Sequence, residues 1–490
     1  MLSQSKSKKN EVVISKADTP KESLIKGIEI LGGISRFIDN EDQVFIKFNL
    51  NLPGGFPTNT NFEVLEGLII SCKEAGANKI YLGSFPVKGI PINIISEILS
   101  IKEYFSAIGA ELVFLDNSNY YGKKEVNSEQ LKKIKRDSFT KVKLNDNEYS
   151  IPNIILNSDK FISVNQINVN PLFKINLALL NSYSIISSKD REIRNNKNKT
   201  HEYNSRNQYK KDLISNILKI YRVKQPDLVI NDLFYILEGA GPFIYKDSNL
   251  RKTKLMIMGN DTIAVDLITL KLLNIEPDDN DLIKQARIMD LAIPEISNIK
   301  VLGEKIEENR ISIDLCVPKI EDIKLQNIST YPGKYCTGCY NEAYHFLNFM
   351  KTCMVKDLKN NPDNCFLIGE NPIVPDKSGN IILFGDCAIN STENYEFRKI
   401  VIENKKQNKK KLKNKPPKEN KSKKKPKNKE KPNKDILELH GCPPNIYTCL
   451  NLLLNYYGKN NLPNLNLLIK MNDFWINGKS NKELKTWEAF

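Results

Sequence analysis

The order of apolar segments in the first quarter of the chain constrains the fold more than any other feature. A short apolar run at Gln43–Phe48 is followed by a loop rich in Pro, Gly and Asn, an amphipathic stretch at Phe62–Glu74 and a second apolar run at Lys79–Leu82. This order is typical of the βαβ unit of parallel sheets. It recurs at Ile94–Ile108 and Glu111–Leu115. The sequence therefore predicts an α/β, Rossmann-like fold, in one or two lobes, with a mostly parallel sheet and flanking helices.

The composition changes along the chain and predicts its division into domains. We expect a flexible N-terminus at residues 1–24, an α/β domain at 25–325, and a small Cys-rich α+β module formed by 326–402 and 435–490. Residues 403–434 contain four prolines and almost no apolar side chains. Such a segment cannot offset the entropy lost on ordering, so we predict a disordered Lys-rich insertion.

The positive charge of the chain lies almost wholly in this insertion. Between Lys405 and Lys434 there are 16 Lys and 2 Glu, which contribute +14 of the net charge of +15. The segment would bind nucleic acid without sequence preference, but it has no aromatic residues to stack on bases. Nonspecific nucleic-acid binding is therefore our third hypothesis, and we do not expect nucleic acid as a partner.

Neither a membrane span nor a signal peptide is visible in the sequence. No apolar run approaches the roughly 20 residues that a membrane helix needs, and the first 20 residues lack an apolar core. We expect a cytoplasmic protein without a membrane partner. Seven of its nine cysteines follow residue 330. In the cytoplasm, clustered cysteines are more often metal-binding or redox-active than disulfide-bonded.

Four cysteines form the candidate metal site. Cys336 and Cys339 form a CxxC pair before a helical stretch, Cys387 follows an apolar strand, and Cys442 precedes Pro443 and Pro444 at another helix. Helix N-termini stabilise thiolates, and a Cys–Pro ligand is typical of bacterial ferredoxins. The set predicts an iron–sulfur cluster of the 4Fe-4S type, with zinc as the alternative because four thiolates suit both.

Other interpretations of these cysteines stay open at this point. Cys353, Cys365 or His440 could replace one of the four ligands. The cysteines could also be buried as small apolar side chains, or Cys336 and Cys339 could form a dithiol redox pair.

Several segments of the α/β region resemble the family catalogued as domain of unknown function 362. The segments that carry the resemblance are Val44–Asn51, Asn61–Ala77, Asp232–Pro242 with its D…EGxGP pattern, Asn260–Leu273 with D-x-x-A-x-D, and Ile296–Glu304. The resemblance covers roughly residues 40–305. It implies an α/β domain that often accompanies iron–sulfur modules, and it implies no reaction. The chain departs from the family at Lys174-Ile175-Asn176, where members usually carry Lys-x-His.

These segments also supply a candidate binding site for a substrate. Open α/β sheets bind ligands at the carboxyl ends of their strands, a glycine-rich turn lets the backbone approach a ligand, and a carboxylate inside an apolar helix is paired or functional. The candidates are Lys47, Asn49, Lys174, Glu238, Gly239, Gly241, Asp261 and Asp266. We expect Lys47 with Asp261 or Asp266 to bind a small anionic substrate or a metal, although Asp261 could equally cap a helix.

The leading functional hypothesis is a redox protein. Its α/β domain would bind a substrate or a redox partner protein, and its four-cysteine cluster would supply electrons. As an enzyme it would be an iron–sulfur oxidoreductase. The alternative is a zinc-stabilised, non-redox metabolic or binding protein. The sequence assigns neither a reaction nor an oligomeric state.

Overall fold

A computed structural model of the chain shows two compact units. It describes residues 10–86, 92–116, 138–144, 147–187, 190–191, 208–360, 363–375, 379–399, 436–445, 449 and 452. The first unit contains the described residues up to 191 and from 210 to 316, and the second contains those from 317 onward together with 208 and 209. The Lys-rich insertion 403–434 lies outside the described residues, as does most of the predicted module at 435–490.

Twelve strands and nine α-helices are described before residue 317. The described strands are β1 Glu11–Lys16, β2 Gln43–Lys47, β3 Lys79–Gly83, β4 Glu111–Leu112, β5 Phe139–Leu144, β6 Asn147–Pro152, β7 Lys160–Asn170, β8 Lys174–Ile175, β9 Leu228–Glu238, β10 Asn249–Lys252, β11 Leu255–Gly259 and β12 Lys300–Gly303. The described helices are α1 Pro20–Ile30, α2 Phe62–Glu74, α3 Ile92–Leu99, α4 Ile101–Ala107, α5 Asn153–Leu156, α6 Ala178–Asn181, α7 Gln208–Val223, α8 Thr262–Leu272 and α9 Asp281–Ile288.

One large sheet organises the first unit, in the order β12-β1-β11-β9-β7-β2-β3-β4. Neighbouring strands are parallel except at β11, which is antiparallel to both β1 and β9. Short strands β8 and β10 pair with β7 and β9. Strands β7 and β9 are buried along almost their whole length, as expected for central strands covered on both faces. The prediction of an α/β fold with a mostly parallel sheet is confirmed.

The helices that position the candidate residues begin where the sequence predicts. Helix α2 begins after Asn61, whose side chain accepts a hydrogen bond from the Glu63 N–H. Helix α8 begins after Asp261, whose side chain accepts from the Ala264 N–H at 2.8 Å. All residues of α8 except Lys271 are buried, which is typical of a helix enclosed in a core.

The prediction of a flexible segment at residues 1–24 is wrong from residue 11 onward. Strand β1 lies between β11 and β12 in the sheet, and its residues Val12, Val13 and Ile14 are fully buried. Helix α1 follows, with Thr19 and Glu22 forming a capping box. The local sequence does not predict this strand because its flanks are polar and its pairing partners lie about 240 residues or more further along the chain. Residues 1–9 lie outside the described part.

The second unit contains a smaller sheet that is parallel throughout its described strands. These are β13 Ile328–Pro332, β14 Asn364–Ile368, β15 Asn380–Phe384 and β16 Ile436–Leu439, in sequential order. The described helices are α10 Thr337–Cys353, α11 Val355–Asn360 and α12 Asp386–Ser391. The α+β class predicted for the whole module stays a prediction, because most of residues 435–490 lie outside the described ranges. The two units divide after Cys316, nine residues before the predicted boundary at 325.

Within the described ranges, no helix combines the length and the apolar character needed to cross a bilayer.

The burial of β1 predicts a large loss of stability when Ile14 is shortened. We expect Ile14→Ala to lower the free energy of unfolding by about 2–5 kcal/mol, the range for removing a buried aliphatic side chain. Leu250→Ala is the matched control because Leu250 is 50 % exposed, and its effect should stay within about 0.5 kcal/mol. Urea titration followed by circular dichroism measures both. Equal, small effects would contradict a core role for β1.

Candidate functional site

The first candidate site lies along the central strands of the large sheet. Strands β2, β7 and β9 are parallel neighbours, so their carboxyl ends meet at one edge. Strand β7 carries amide side chains at Asn165, Gln166 and Asn168, each about 1 % exposed. Polar groups buried in this way need internal partners, and those partners define the site.

A continuous chain of hydrogen bonds joins Lys47 to Asp266 through the core. Lys47 Nζ donates to Asn181 Oδ1, and Asn181 Nδ2 donates to Ser163 Oγ at 3.1 Å. Ser163 Oγ donates to Asn165 Oδ1 at 3.2 Å. The chain ends as Asn165 Nδ2 donates to Asn231 Oδ1 at 2.7 Å, and Asn231 Nδ2 to Asp266 Oδ1 at 3.1 Å. We call these six residues the buried polar chain.

Every hydrogen bond in the buried polar chain donates in the same direction, from the amine toward the carboxyl group. Hydrogen bonds in series polarise one another in a low dielectric. All six side chains are buried, Lys47 at 1 % exposure and Asp266 at 0 %. The direction of donation also fixes which amide atom of each asparagine is oxygen, because a flipped amide would place two donors or two acceptors against each other.

The two ends of the chain have shifted pKa values. Burial raises the pKa of Asp266 to about 7, although the Leu179 N–H, the Asn231 side chain and the Ala178 N–H lower it by donating to the carboxyl group. Burial, and then the charge of Arg191, holds the pKa of Lys47 well below its usual value. Both shifts favour the neutral forms, which are the deprotonated amine of Lys47 and the protonated carboxyl group of Asp266.

Three further predicted binding residues lie close to strand ends or helix starts. Asn49 Oδ1 accepts from the Gln166 N–H at 2.8 Å. Asp261 caps α8, which confirms that interpretation of the residue. Lys174, half-exposed at φ +65°, forms an ion pair with Asp279 at 3.0 Å. None of the hydrogen bonds found among the described residues joins these three side chains to the buried polar chain.

The predicted glycine-rich turn is a tight structural connection. Glu238 is paired with Arg251 at 3.0 Å, and the Gly239 N–H donates to Asp314 O at 2.6 Å. Gly239 has φ +76°, a conformation that favours glycine. A Cβ atom at Gly241 would lie 2.5 Å from Val169 O. The backbone of this turn therefore approaches β7 as closely as glycine allows.

Sequence reasoning missed four members of the buried polar chain: Ser163, Asn165, Asn181 and Asn231. A signal was present in β7, where the letters SVNQINVN place amides on both faces of an otherwise apolar strand. Their partners come from separate elements, so the sequence does not show which of them meet.

The second candidate site lies at the carboxyl edge of the smaller sheet. Cys336 and Cys339 follow β13, Cys387 lies in the first turn of α12 directly after β15, and Cys442 follows β16. Because these strands run parallel, their carboxyl ends share one edge. The Cys336 sulfur caps α10 and accepts from the Cys339 N–H at 3.5 Å.

The four thiols interact as two pairs. The Cys339 thiol and nearby backbone N–H groups stabilise the Cys336 thiolate and lower its pKa to about 6. A hydrogen bond from Cys442 likewise lowers the pKa of Cys387. The same contacts raise the pKa of Cys339 and of Cys442. Electrostatic repulsion also acts between the pairs, from Cys336 on Cys387 and on Cys442. We call these four residues the thiol cluster.

Backbone contacts hold two of the thiol-bearing loops together. The Asp386 N–H donates to Gly441 O at 3.1 Å, and the Gly441 N–H donates to Asp386 Oδ1 at 2.9 Å. Gly385 has φ +90°, and a Cβ atom there would lie 3.5 Å from Cys339 Sγ. The loops carrying Cys387 and Cys442 are therefore fixed to each other next to the CxxC pair.

The three residues that could replace a ligand, Cys353, Cys365 and His440, have surroundings unlike those of the thiol cluster. Cys353 ends α10, which places it about 20 Å along the helix axis from Cys339. Cys365 is buried in an apolar cluster with Leu367 and Leu383. The His440 ring lies 3.6 Å from Asp386 and 3.4 Å from Glu438.

Metal binding by the thiol cluster stays a prediction. As their side chains stand, no three His, Cys, Asp or Glu residues in the described part of the chain converge as a set that could hold a metal ion. The cysteines lie instead as two hydrogen-bonded thiol pairs.

Comparison with known families gives a match that covers part of the first unit. Residues 44–271 match the family model described as Domain of unknown function (DUF362). No curated protein matches the chain. The matched range contains the whole buried polar chain and none of the thiol cluster.

The buried carboxyl group of Asp266 predicts a pH-dependent effect of Asp266→Asn. Its pKa is about 3.9 in an unfolded chain and about 7 in the folded one. Between these values the folded state binds more protons, so the contribution of Asp266 to stability is present at low pH and is lost as pH rises. We expect Asp266→Asn to cost about 1–3 kcal/mol near pH 5, because its NH2 group faces backbone donors. The cost should shrink toward about pH 8.

Urea titration at several pH values measures this difference. Asp290→Asn is the control, since Asp290 is exposed at φ +52°, where asparagine is well tolerated. A cost that grows with pH would contradict the prediction. It would mean that the three donors outweigh burial and keep Asp266 ionised.

Proposed function

We propose that the chain is an iron–sulfur redox protein. Residues 44–271 match the DUF362 family model, whose description assigns no activity, so the proposal rests on the residues of the chain itself. The observation that carries the proposal is the thiol cluster, in which four cysteines that follow three parallel strands lie as two pairs at one sheet edge. Four thiolates are the usual ligand set of a 4Fe-4S cluster. The ligands would be Cys336, Cys339, Cys387 and Cys442.

The chemistry of the ligand set bears on the choice between a cluster and a single ion. Zinc would need all four sulfurs about 2.3 Å from one point, whereas each cysteine of a 4Fe-4S cluster binds a different iron atom. The two adjacent pairs, Cys336 with Cys339 and Cys387 with Cys442, would have to separate to bind a cluster. The Cys442–Pro443 dipeptide, typical of a ferredoxin ligand, favours iron–sulfur over zinc.

The surroundings of the sulfurs suit a group with negative charge. Cys336 lies at the N-terminus of the 17-residue helix α10, where the Cys339 and Gly338 N–H groups stabilise its thiolate. Hydrogen bonds to cluster sulfurs and helix N-termini stabilise added negative charge. Such a cluster would supply one-electron transfer when bound.

The first unit would provide binding for the species that exchanges electrons. The buried polar chain supports this part of the proposal, because it links a buried amine at Lys47, which can accept a proton, to a buried carboxyl group at Asp266, which can give one up. The partner would be a small anionic substrate or a redox protein. We also propose the cytoplasm as the compartment, since each of the nine cysteines lies outside a disulfide and thiols persist under reducing conditions.

Metal and sulfide analysis tests the proposal. The chain is purified without oxygen as wild type and as Cys336→Ala, Cys387→Ala and Cys442→Ala, and absorbance, iron, sulfide and zinc are measured. We expect a brown wild-type protein with broad visible absorption, and loss of iron and sulfide in each variant. Cys353→Ala is the matched control because that exposed residue lies at the far end of α10, and it should retain both.

Two results would contradict the redox proposal. A colourless protein with stoichiometric zinc that is lost in the same variants would support a zinc-stabilised, non-redox protein. A protein without metal would leave the thiol cluster as paired thiols only.

A further inference from the structure

A second buried carboxyl group in the first unit lacks the partners that Asp266 has. Asp232 lies in β9 and is 1 % exposed. Its Oδ1 accepts from the Phe234 N–H at 2.9 Å. Within the described ranges its Oδ2 has no hydrogen-bond partner, and no Lys, Arg or His forms an ion pair with it. Asp266, by contrast, receives three donors.

A second unpaired oxygen lies on the neighbouring strand. Gln166 in β7 is the register partner of Asp232, so both side chains leave the sheet on the same face. Gln166 Nε2 donates to Tyr235 O at 2.8 Å and to Asp232 O at 3.4 Å. A flipped amide would direct its oxygen at two carbonyl oxygens, so this orientation is fixed. Gln166 Oε1, 1 % exposed as a residue, has no hydrogen-bond partner among the residues the structure describes.

The electrostatic surroundings of Asp232 are negative. Burial raises its pKa to about 7, the Phe234 N–H opposes that shift, and the Glu63 carboxylate adds to it. No positive side chain contributes to the pKa of Asp232 in the described part of the chain. A buried carboxylate without a counterion either takes up a proton or binds a cation.

Asp232 and Gln166 lie in the part of the sheet where α/β proteins commonly bind ligands. Ser163 is the last residue of β7 that pairs with β2, and Gln166 lies three residues beyond it. The pair therefore lies past the carboxyl end of β2, where open α/β sheets bind ligands.

We propose that Asp232 Oδ2 and Gln166 Oε1 are two ligands of a divalent-cation site of the Mg²⁺ or Mn²⁺ class. Carboxylate and amide oxygens are the hard ligands these ions prefer, and Mg²⁺ usually binds one or two protein carboxylates and keeps several water molecules. The site is independent of the thiol cluster, because softer thiolates select other metals.

Titration of the full-length chain with Mn²⁺, followed by the EPR signal of free Mn²⁺, tests the site. We expect the wild type to bind one Mn²⁺ that Mg²⁺ displaces. Asp232→Asn should abolish this binding, since it removes the charge and keeps the shape. Gln166→Leu should weaken it by at least about tenfold, the loss found when even a supporting group of a metal site is removed.

Control variants distinguish a cation site from a protonated Asp232 that is hydrogen-bonded to Gln166. Asp290→Asn removes an exposed carboxylate and should bind Mn²⁺ as the wild type does, and circular dichroism checks that each variant is folded. Absence of Mn²⁺ binding by the wild type would overturn the proposal, whatever the variants do. Undiminished binding in a folded Asp232→Asn or Gln166→Leu variant would overturn it equally, and a protonated Asp232 bonded to Gln166 would then explain the pair.

Discussion

Parallel strand pairing is the constraint on which both candidate sites depend. In a parallel sheet the carboxyl ends of neighbouring strands share one edge, and the residues that follow them converge there whatever their distance in sequence. In the first unit the carboxyl ends of β2, β7 and β9 share such an edge, and in the second unit those of β13, β15 and β16 do. The thiol cluster thus unites Cys336 with Cys442, which are more than 100 residues apart, without a compact sequence motif.

The central strands of the first unit accommodate polar side chains that an apolar core would ordinarily exclude. An unpaired polar group in such a core costs about 1–3 kcal/mol, so each must find a donor or an acceptor. The buried polar chain meets this requirement completely, with donation in one direction from Lys47 to Asp266. Asp232 and Gln166 do not meet it. Asp266 therefore belongs to a network whose hydrogen bonds are all made, whereas Asp232 keeps an unpaired oxygen that a cation could bind.

Local patterns in the sequence predicted the elements, but not most of the contacts between them. The βαβ order, helix α2, the Asp261 cap and the resemblance between residues 40 and 305 follow from spacing and propensity, which are local. Strand β1 was missed because its core role depends on pairing with Ile257 and Leu302, far along the chain. Asn181 was missed for the same reason, since its partners Lys47 and Ser163 belong to other elements. The four cysteines could be proposed from the sequence because CxxC, Gly-Asp-Cys after an apolar strand and Gly-Cys-Pro are local signals.

The central claim is that the thiol cluster holds iron. Crystals of the anaerobically purified chain, measured with X-rays on both sides of the iron absorption edge, test it most directly. An iron–sulfur cluster at this site would give an anomalous peak bounded by the sulfur atoms of Cys336, Cys339, Cys387 and Cys442. A map without iron at that edge of the small sheet, or with an anomalous peak only at the zinc edge, would contradict it.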